Sequence, residues 1–199
     1  PVRFISNHSS GKMGYALAEA ARDAGARVTI ISGPVRLPPP EKISVIQVDS
    51  ASDMLAASLG IQNNCDIFIA AAAVADYRPV QVATQKIKKS GEHMQMSLVK
   101  NPDIVATVAQ LETAPFVVGF AAETQDVADY ARGKLQSKNL NMIIANDVSN
   151  TDIGFNSDNN AVTAFWGDNQ QDFPRMSKSA LSNDLIELIA QQYADNKTT

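Results

Sequence analysis

Cysteine and histidine are scarce in this sequence of 199 residues, which contains one cysteine and two histidines. Cys65 has no partner for an internal disulfide, and its position beside a predicted core strand indicates packing rather than catalysis. His8 and His93 lie far apart in the sequence, and neither pairs with a nucleophile in a defensible triad. The sequence therefore argues against a disulfide-stabilised fold, a dedicated zinc site and serine-hydrolase chemistry.

Long apolar runs and a basic excess are also missing. The longest apolar run, residues 67–75, falls well short of the roughly 18 residues that a membrane span needs. The first residues, Pro-Val-Arg, do not form the basic-then-apolar pattern of a signal peptide. The formal net charge of −4 argues against a nucleic-acid-binding groove. We expect a cytoplasmic protein that binds neither membranes nor nucleic acids.

Strand and helix signals alternate along the chain, which is long enough for one domain. Helices are predicted at 15–24, from a cap at Ser50 or Ser52 to about 62, from Pro102, from Thr124 or Asp126 to about 138, and from Ser177 to about 193. Strands are predicted at 27–32, 43–48, 66–72, 116–121, 142–145 and 161–166, and residues 195–199 as a frayed tail. This α/β pattern predicts a mostly parallel central sheet covered on both faces.

The start of the chain departs from the usual order of such a sheet. A doubly wound sheet begins with a strand, whereas this sequence begins with a loop and a helix. We therefore expect the first strand to be missing from the sequence as given, and the single domain, residues 1–199, to be N-terminally truncated. Ligands in such sheets bind beyond the carboxyl ends of the strands. Polar residues follow three predicted strands there, at Asp76, Glu123 and Asn146.

The segment 6–14, Ser-Asn-His-Ser-Ser-Gly-Lys-Met-Gly, leads directly into the first predicted helix. Helix N-termini offer amides that are not used within the helix, and glycines allow an anion to approach the backbone. The segment is not a Walker A loop, because Met13 stands where serine or threonine is required, and it is not G-x-G-x-x-G. An anion-binding entrance is favoured, and an N-capping turn with exposed polar side chains is the alternative.

Three further segments carry candidate ligand-binding residues, each with a structural alternative. The alanine-rich segment 70–76 leaves room for a flat ligand, and its Asp76 suits Mg²⁺ or a ribose hydroxyl; tight packing explains it equally well. The lysines of 86–89 suit a triphosphate, although a solvated charge run is the commoner explanation. Lys134 and Lys138 share one helix face, and on their own they indicate solvent exposure.

Taken together and in order, these segments resemble one family. The matching runs are PVRFISNHSSGKMG, AAAVADYRP, KIKK, VKNPDIV, VVGFAAET, ANDV and GFNSDNN. They are similar to the bacterial phosphopantothenate–cysteine ligase domain, which is commonly the C-terminal half of a bifunctional coenzyme A biosynthesis protein. The resemblance implies a Rossmann-like three-layer fold, a homodimer, Mg²⁺, CTP as co-substrate and natural fusion to a flavin-dependent decarboxylase half. It implies no FMN site in this domain.

The family reaction supplies roles for individual residues. The carboxylate of phosphopantothenate attacks the α-phosphorus of CTP, which gives an acyl-cytidylate and pyrophosphate, and the amine of cysteine then displaces CMP. By resemblance, Asn7 polarises the acyl carbonyl with help from Arg3, Ala73 joins Asn7 in binding the intermediate, and Lys86 acts on the phosphates. The implied nucleotide contacts are Ala70, Ala71, Ala72, Asp76, Lys86, Pro102, Asp103, Ile104, Val105, Phe120, Lys134 and Lys138.

Two alternatives to the ligase remain open on the sequence. A nicotinamide-dependent reductase would use the Tyr130-x-x-x-Lys134 spacing, but its glycine fingerprint is missing. A non-catalytic nucleotide sensor would bind CTP and release no pyrophosphate. The preference for CTP over ATP rests on the resemblance alone, and no metal ligands are assigned.

Overall fold

The computed structural model describes residues 5–7, 9–85, 87–88, 92–123, 125–147 and 157–198. Helices and strands alternate through most of this part of the chain. The helices are α1 (Lys12–Asp23), α2 (Ala51–Ile61), α3 (Ile104–Ala109), α4 (Val127–Ser137) and α5 (Lys178–Thr198). The strands are β1 (Thr29–Ser32), β2 (Ser44–Gln47), β3 (Ile67–Ala70), β4 (Tyr77–Pro79), β5 (Leu98–Lys100), β6 (Phe116–Glu123), β7 (Met142–Asp147), β8 (Asn159–Trp166) and β9 (Asn169–Ser177).

The central sheet has the strand order β3-β6-β7-β8-β9. β3, β6 and β7 run parallel, whereas β8 and β9 add antiparallel strands at one edge. Two smaller sheets flank it, a parallel pair of β1 with β2 and an antiparallel pair of β4 with β5. The α/β class predicted from the sequence, with a mostly parallel central sheet, is confirmed.

Successive side chains of a strand point to opposite faces of the sheet, so each face of the central sheet packs its own set of side chains. Helices cover both faces. On one face, Leu185 of α5 and Leu17 of α1 pack in the cluster that contains Val118 and Ile144. On the other face, Leu135 of α4 packs in the cluster that contains Ile143. α3 packs Val108 with Val117 of β6 on that second face. The result is the predicted three-layer arrangement.

The pair β1–β2 is not hydrogen-bonded to the central sheet within the described residues. A cavity extends into the space that β1 and β3 border, where Ile30, Ile67 and Ile69 line it with Ile189 of α5. The expectation of a missing first strand stays a prediction.

Several element boundaries differ from the predictions. Pro102 is not in the first turn of a helix: α3 begins at Ile104, and Asp103 caps it by accepting a hydrogen bond from the Ala106 amide at 3.1 Å. Residues 195–198 continue α5 instead of fraying. Glu123 and Asn146 lie inside β6 and β7 rather than after them. β4, β5 and β9 were not predicted at all.

Candidate functional site

The loop before α1 is joined to the loop after β3 by one side chain. Asn7 donates from Nδ2 to the Val74 carbonyl oxygen at 3.2 Å. Gly11 is the N-cap of α1 and has a φ of 75°, in the left-handed region that glycine tolerates best. Asn7 itself is exposed. An amide nitrogen carries two N–H groups, and the bond to Val74 uses one of them.

The segment between β3 and β4 is fixed by backbone carbonyl contacts. The Val74 amide donates to the Ala72 carbonyl at 3.0 Å. Asn101, which is 9% exposed, donates from Nδ2 to the Ala75 carbonyl at 2.7 Å. Its backbone amide donates to the Asp76 carbonyl, also at 2.7 Å. Asn101 was not predicted as a site residue, although it directly precedes Pro102, where a helix was predicted to begin.

The start of α3 carries an ion pair at the same site. Lys138 Nζ lies 2.9 Å from Asp103 Oδ2, and the two side chains are 30% and 41% exposed. Burial raises the pKa of Asp103, but the bonds from Lys138 and from the Ala106 amide outweigh it, so the pKa lies below its ordinary value. The carboxylate is therefore ionised at neutral pH, and it both caps α3 and positions Lys138.

This arrangement predicts a pH-dependent contribution of Asp103 to stability. Asp103→Ala is expected to lower the free energy of unfolding at pH 7 by about 1–2 kcal/mol, mostly through loss of the cap. Because the folded pKa is depressed, the stabilisation is present above the unfolded pKa of about 4 and is lost as pH falls through the folded pKa. Urea unfolding at pH 7 and pH 3 measures this.

Asp103→Asn serves as the matched variant, because it retains a capping oxygen and removes the charge. It should lose less than about 1 kcal/mol at pH 7, the range of an exposed ion pair. A wild-type advantage over Asp103→Ala that stays constant from pH 7 to pH 3 would contradict the ionic contribution.

A second ion pair joins α4 to the end of β6. Lys134 Nζ lies 2.5 Å from Glu123 Oε1, and the Glu123 side chain is only 16% exposed. Lys134 and Lys138 are therefore each paired with a carboxylate. The residue pattern alone favoured solvent for them, and their side chains, 42% and 30% exposed, are partly open to solvent as well as paired.

A third contact set anchors the start of α1 to α5. Lys12 Nζ lies 2.7 Å from Asp158 Oδ1. Lys178, buried at the start of α5, donates from Nζ to the Ser157 carbonyl at 2.6 Å and from its backbone amide to the Asp158 carbonyl at 2.9 Å. Burial lowers the pKa of Lys178, and repulsion from Lys12 adds to this. Residues 157–158 thus tie the predicted anion-binding entrance to the C-terminal helix.

One continuous cavity of about 2950 Å³ collects the predicted site residues. Arg3 and Lys86 lie outside the described residues. All other nominated residues line this cavity: Asn7, Ala70, Ala71, Ala72, Ala73, Asp76, Pro102, Asp103, Ile104, Val105, Phe120, Lys134 and Lys138. Segments from five parts of the chain therefore meet at the carboxyl end of β3 and β6, although the role of each residue stays a prediction.

The cavity offers oxygen ligands rather than a preformed metal cage. Among the described residues, no group of three or more His, Cys, Asp or Glu side chains is placed to hold a metal ion. Asp76 and Asp103 line the cavity as separate carboxylates. Mg²⁺ in nucleotide sites typically uses one or two protein carboxylates together with phosphates and water. The donor set therefore fits a magnesium ion that arrives with a nucleotide.

The fold is a three-layer α/β domain whose cavity lies at the carboxyl ends of parallel strands, where sheets of this class bind ligands. None of the helices in the described ranges is long and apolar enough to cross a membrane. The family model described as the DNA/pantothenate metabolism flavoprotein C-terminal domain matches residues 1–193. The chain belongs to this family.

Individual relatives agree with this assignment. The chain is 56% identical over 195 residues to the coenzyme A biosynthesis bifunctional protein CoaBC of Vibrio cholerae, covering 96% of the chain and 49% of that protein. It thus spans about half the length of this relative. The crystal structure of the C-terminal domain of a CoaBC protein matches with a TM-score of 0.82 at 39% identity, covering 98% of this chain and 89% of that one.

A more distant structure shares the fold alone. A Cab2 mutant in complex with phosphopantothenate-cysteine matches with a TM-score of 0.79 at 16% identity, covering the whole of this chain and 83% of that one. The three-layer architecture is therefore conserved where most of the sequence has diverged.

Proposed function

We propose that this domain couples 4'-phosphopantothenate to L-cysteine in coenzyme A biosynthesis, through an acyl-cytidylate formed from CTP. The observation that carries the proposal is the single cavity, which joins an amide side chain at Asn7 to the cationic groups of Lys134 and Lys138. The printed name of the bifunctional relative supports a role in coenzyme A biosynthesis.

The first half-reaction brings a carboxylate to a triphosphate, and both are anions. Positive groups must therefore offset their repulsion and the charge that develops on departing pyrophosphate. Lys134 and Lys138 are suited to this, and Lys86 is assigned the same task by resemblance. Lys134 is already paired with Glu123, and Lys138 with Asp103. A bound nucleotide would therefore replace or share these ion pairs. Mg²⁺, when bound, supplies further neutralisation at the phosphates.

The second half-reaction develops negative charge on the acyl oxygen as the amine of cysteine attacks. A fixed N–H donor stabilises such an oxyanion in proportion to how well it is held before the reaction. Asn7 is held through its bond to Val74, and Arg3 is assigned a supporting role by resemblance. Ala73, beside Val74, brings backbone into the same region, and Phe120 offers an aromatic face on the cavity wall.

Pyrophosphate release tests the function directly. The domain, and a longer chain extended N-terminally, are incubated with Mg²⁺, phosphopantothenate and either CTP or ATP. We expect release with CTP that requires phosphopantothenate, followed by CMP and an amide product when cysteine is added. Binding of CTP without release in both proteins would instead support a nucleotide sensor. Release with ATP alone would overturn the choice of nucleotide.

The nicotinamide reductase alternative receives less support from the geometry. Tyr130 is 49% exposed and is not among the cavity-lining residues, whereas Lys134 is. The pair therefore does not present a tyrosine and a lysine to one ligand. By the family resemblance, flavin chemistry belongs to a separate decarboxylase half, so no FMN is proposed for this domain.

We further propose that the domain forms a homodimer through the arm at residues 77–100. Within the described part of this arm, large apolar side chains are unusually exposed: Tyr77, Val80, Val82, Ile87, Met94, Met96, Leu98 and Val99, at 40–68%. Such a concentration of exposed apolar side chains in one segment is the kind of feature that marks an interaction site.

Val82, the most exposed of these at 68%, provides the test. Val82→Lys is expected to shift the protein from dimer to monomer in sedimentation equilibrium, because the charge would have to be buried in the interface. Tyr130→Lys, an equally conspicuous exposed residue outside the arm, is the control. A monomeric wild type, or dissociation by both variants, would contradict the assignment.

A further inference from the structure

Asn101 is one of the few buried polar residues in the described chain, and it lies at the junction of three parts of the site. Its Nδ2 donates to the Ala75 carbonyl at 2.7 Å, and its Oδ1 accepts from Arg78 Nη1 at 3.0 Å. The same Arg78 nitrogen also donates to the Lys100 carbonyl at 2.9 Å. Both functional ends of the amide are therefore used, and replacing the Nδ2 donor would leave the partly buried Ala75 carbonyl without this partner.

Asn101 and Asn7 both form hydrogen bonds to the loop at residues 74–76. Asn7 bonds the Val74 carbonyl, and Asn101 bonds the next two carbonyls, those of Ala75 and Asp76. Three consecutive peptide units are thus fixed by two asparagines that approach from different parts of the chain. Asn7 belongs to the loop before α1, whereas Asn101 directly precedes Pro102 and the Asp103–Lys138 ion pair.

The hydrogen bonds to the carbonyls of residues 74–76 connect the loop before α1 with the start of α3. A displacement of residues 74–76 would move the acceptor of Asn7 at one end. It would also move the attachment point of Asn101, and with it the start of α3 and Asp103, at the other end. The loop is short, so no flexible spacer separates the two effects.

We infer that Asn101 is a positioning residue that holds the 74–76 loop against the start of α3, and thereby sets the geometry of Asn7 and of the Asp103–Lys138 pair together. This inference rests on the proposed function for its kinetic consequences, but its structural consequence does not depend on catalysis. Asn101 has no assigned contact with substrate and acts through the loop.

Asn101→Asp is the informative change. The carboxylate retains an acceptor for Arg78, but it loses the donor to Ala75 and places a negative charge against that carbonyl. Asn139→Asp is the matched control, because Asn139 makes the same kind of bond, from Nδ2 to the Ala109 carbonyl at 3.2 Å, at the far end of α3. Arg78→Met, at an exposed position, provides a second and milder variant that removes the partner of Oδ1.

Hydrogen exchange of the Val74 amide reports on the loop directly, because that N–H is bonded to Ala72. Loss of one buried bond is expected to speed its exchange about tenfold in Asn101→Asp and by a smaller factor in Arg78→Met. No change is expected in Asn139→Asp. Equal exchange in wild type and Asn101→Asp, or equal acceleration in the control, would overturn the inference whether or not the domain proves to be a ligase.

The kinetic test is a double-mutant cycle with Asn7→Asp. Asn101→Asp alone should raise the KM for CTP and slow amide formation, each about tenfold. If Asn101 acts through the loop that Asn7 shares, adding Asn101→Asp to Asn7→Asp should slow amide formation by less than threefold further. If the effects of the two substitutions on amide formation multiply, Asn101 and Asn7 act independently, and the inference is overturned. A wild type without pyrophosphate release would refute the proposed function, and the exchange measurement would still decide the role of Asn101.

Discussion

Asn7→Asp should slow amide formation by about 10²–10³-fold while pyrophosphate release continues, the size of effect seen when one oxyanion donor is removed. The substitution keeps the shape of the side chain but replaces its N–H donor with a carboxylate, which repels the developing oxyanion. The bond to the Val74 carbonyl is lost as well. Because Asn7 is exposed, the free energy of unfolding should change little.

The two half-reactions separate this role from a general loss of structure. Single-turnover assays follow pyrophosphate first and the amide after cysteine is added. Ser6→Ala, in the same exposed loop, is the control and should behave like the wild type. Lys86→Gln should give the opposite pattern, with pyrophosphate release itself suppressed. Equal slowing of both half-reactions by Asn7→Asp would show that Asn7 is not specific to the acyl intermediate.

Gly11→Ala should destabilise the domain by about 2–5 kcal/mol, because two penalties coincide. A φ of 75° places alanine in the left-handed region, at about 1–2 kcal/mol. An added Cβ would also lie 2.9 Å from Val35 Cγ1, and such overpacking typically adds 1–3 kcal/mol. The β-branched Val35 side chain has little freedom to move aside. Urea unfolding measures the loss.

Gly25→Ala separates the two penalties. Gly25 has a φ of 92°, but nothing lies within 4 Å of a Cβ added there. Its substitution should therefore carry only the backbone penalty, about 1–2 kcal/mol. If both variants lose the same stability, Val35 yields to the added methyl group and the steric part of the argument fails.

Local sequence signals predicted the parallel core of the fold well. The cap predicted at Ser50 or Ser52 is at Ser50, where Asp53 completes a capping box, and α1 ends one residue before the predicted 24. The parallel strands β3, β6 and β7 appear as largely apolar runs in the sequence. β9, whose sequence Asn-Gln-Gln-Asp-Phe-Pro-Arg-Met-Ser is mostly polar, was not predicted, because it is an edge strand that buries Phe173 alone. β4 and β5 have three residues each, too few for a periodic pattern.

The site was predicted less by chemistry than by resemblance. Residue type alone favoured solvent for Lys134 and Lys138, because no pattern in the sequence shows that Glu123 and Asp103 will face them. The error at Pro102 has a similar origin. Its neighbour Asn101 has the composition of a cap, but its side chain is used on the 74–76 loop, and Asp103 caps α3 instead. Tertiary contacts, which one sequence does not reveal, decide such cases.

The packing of α5 against α1 has a consequence for synthesis on the ribosome. Leu181, Leu185 and Ile189 of α5 are at most 1% exposed, and they share one cluster with Leu17 of α1 and with Val118 and Ile144 of the sheet. On the sheet face that α1 and α5 share, the part covered by α5 stays open until α5 has been translated and has left the exit tunnel. This half of the core thus forms late, through contacts between distant parts of the chain.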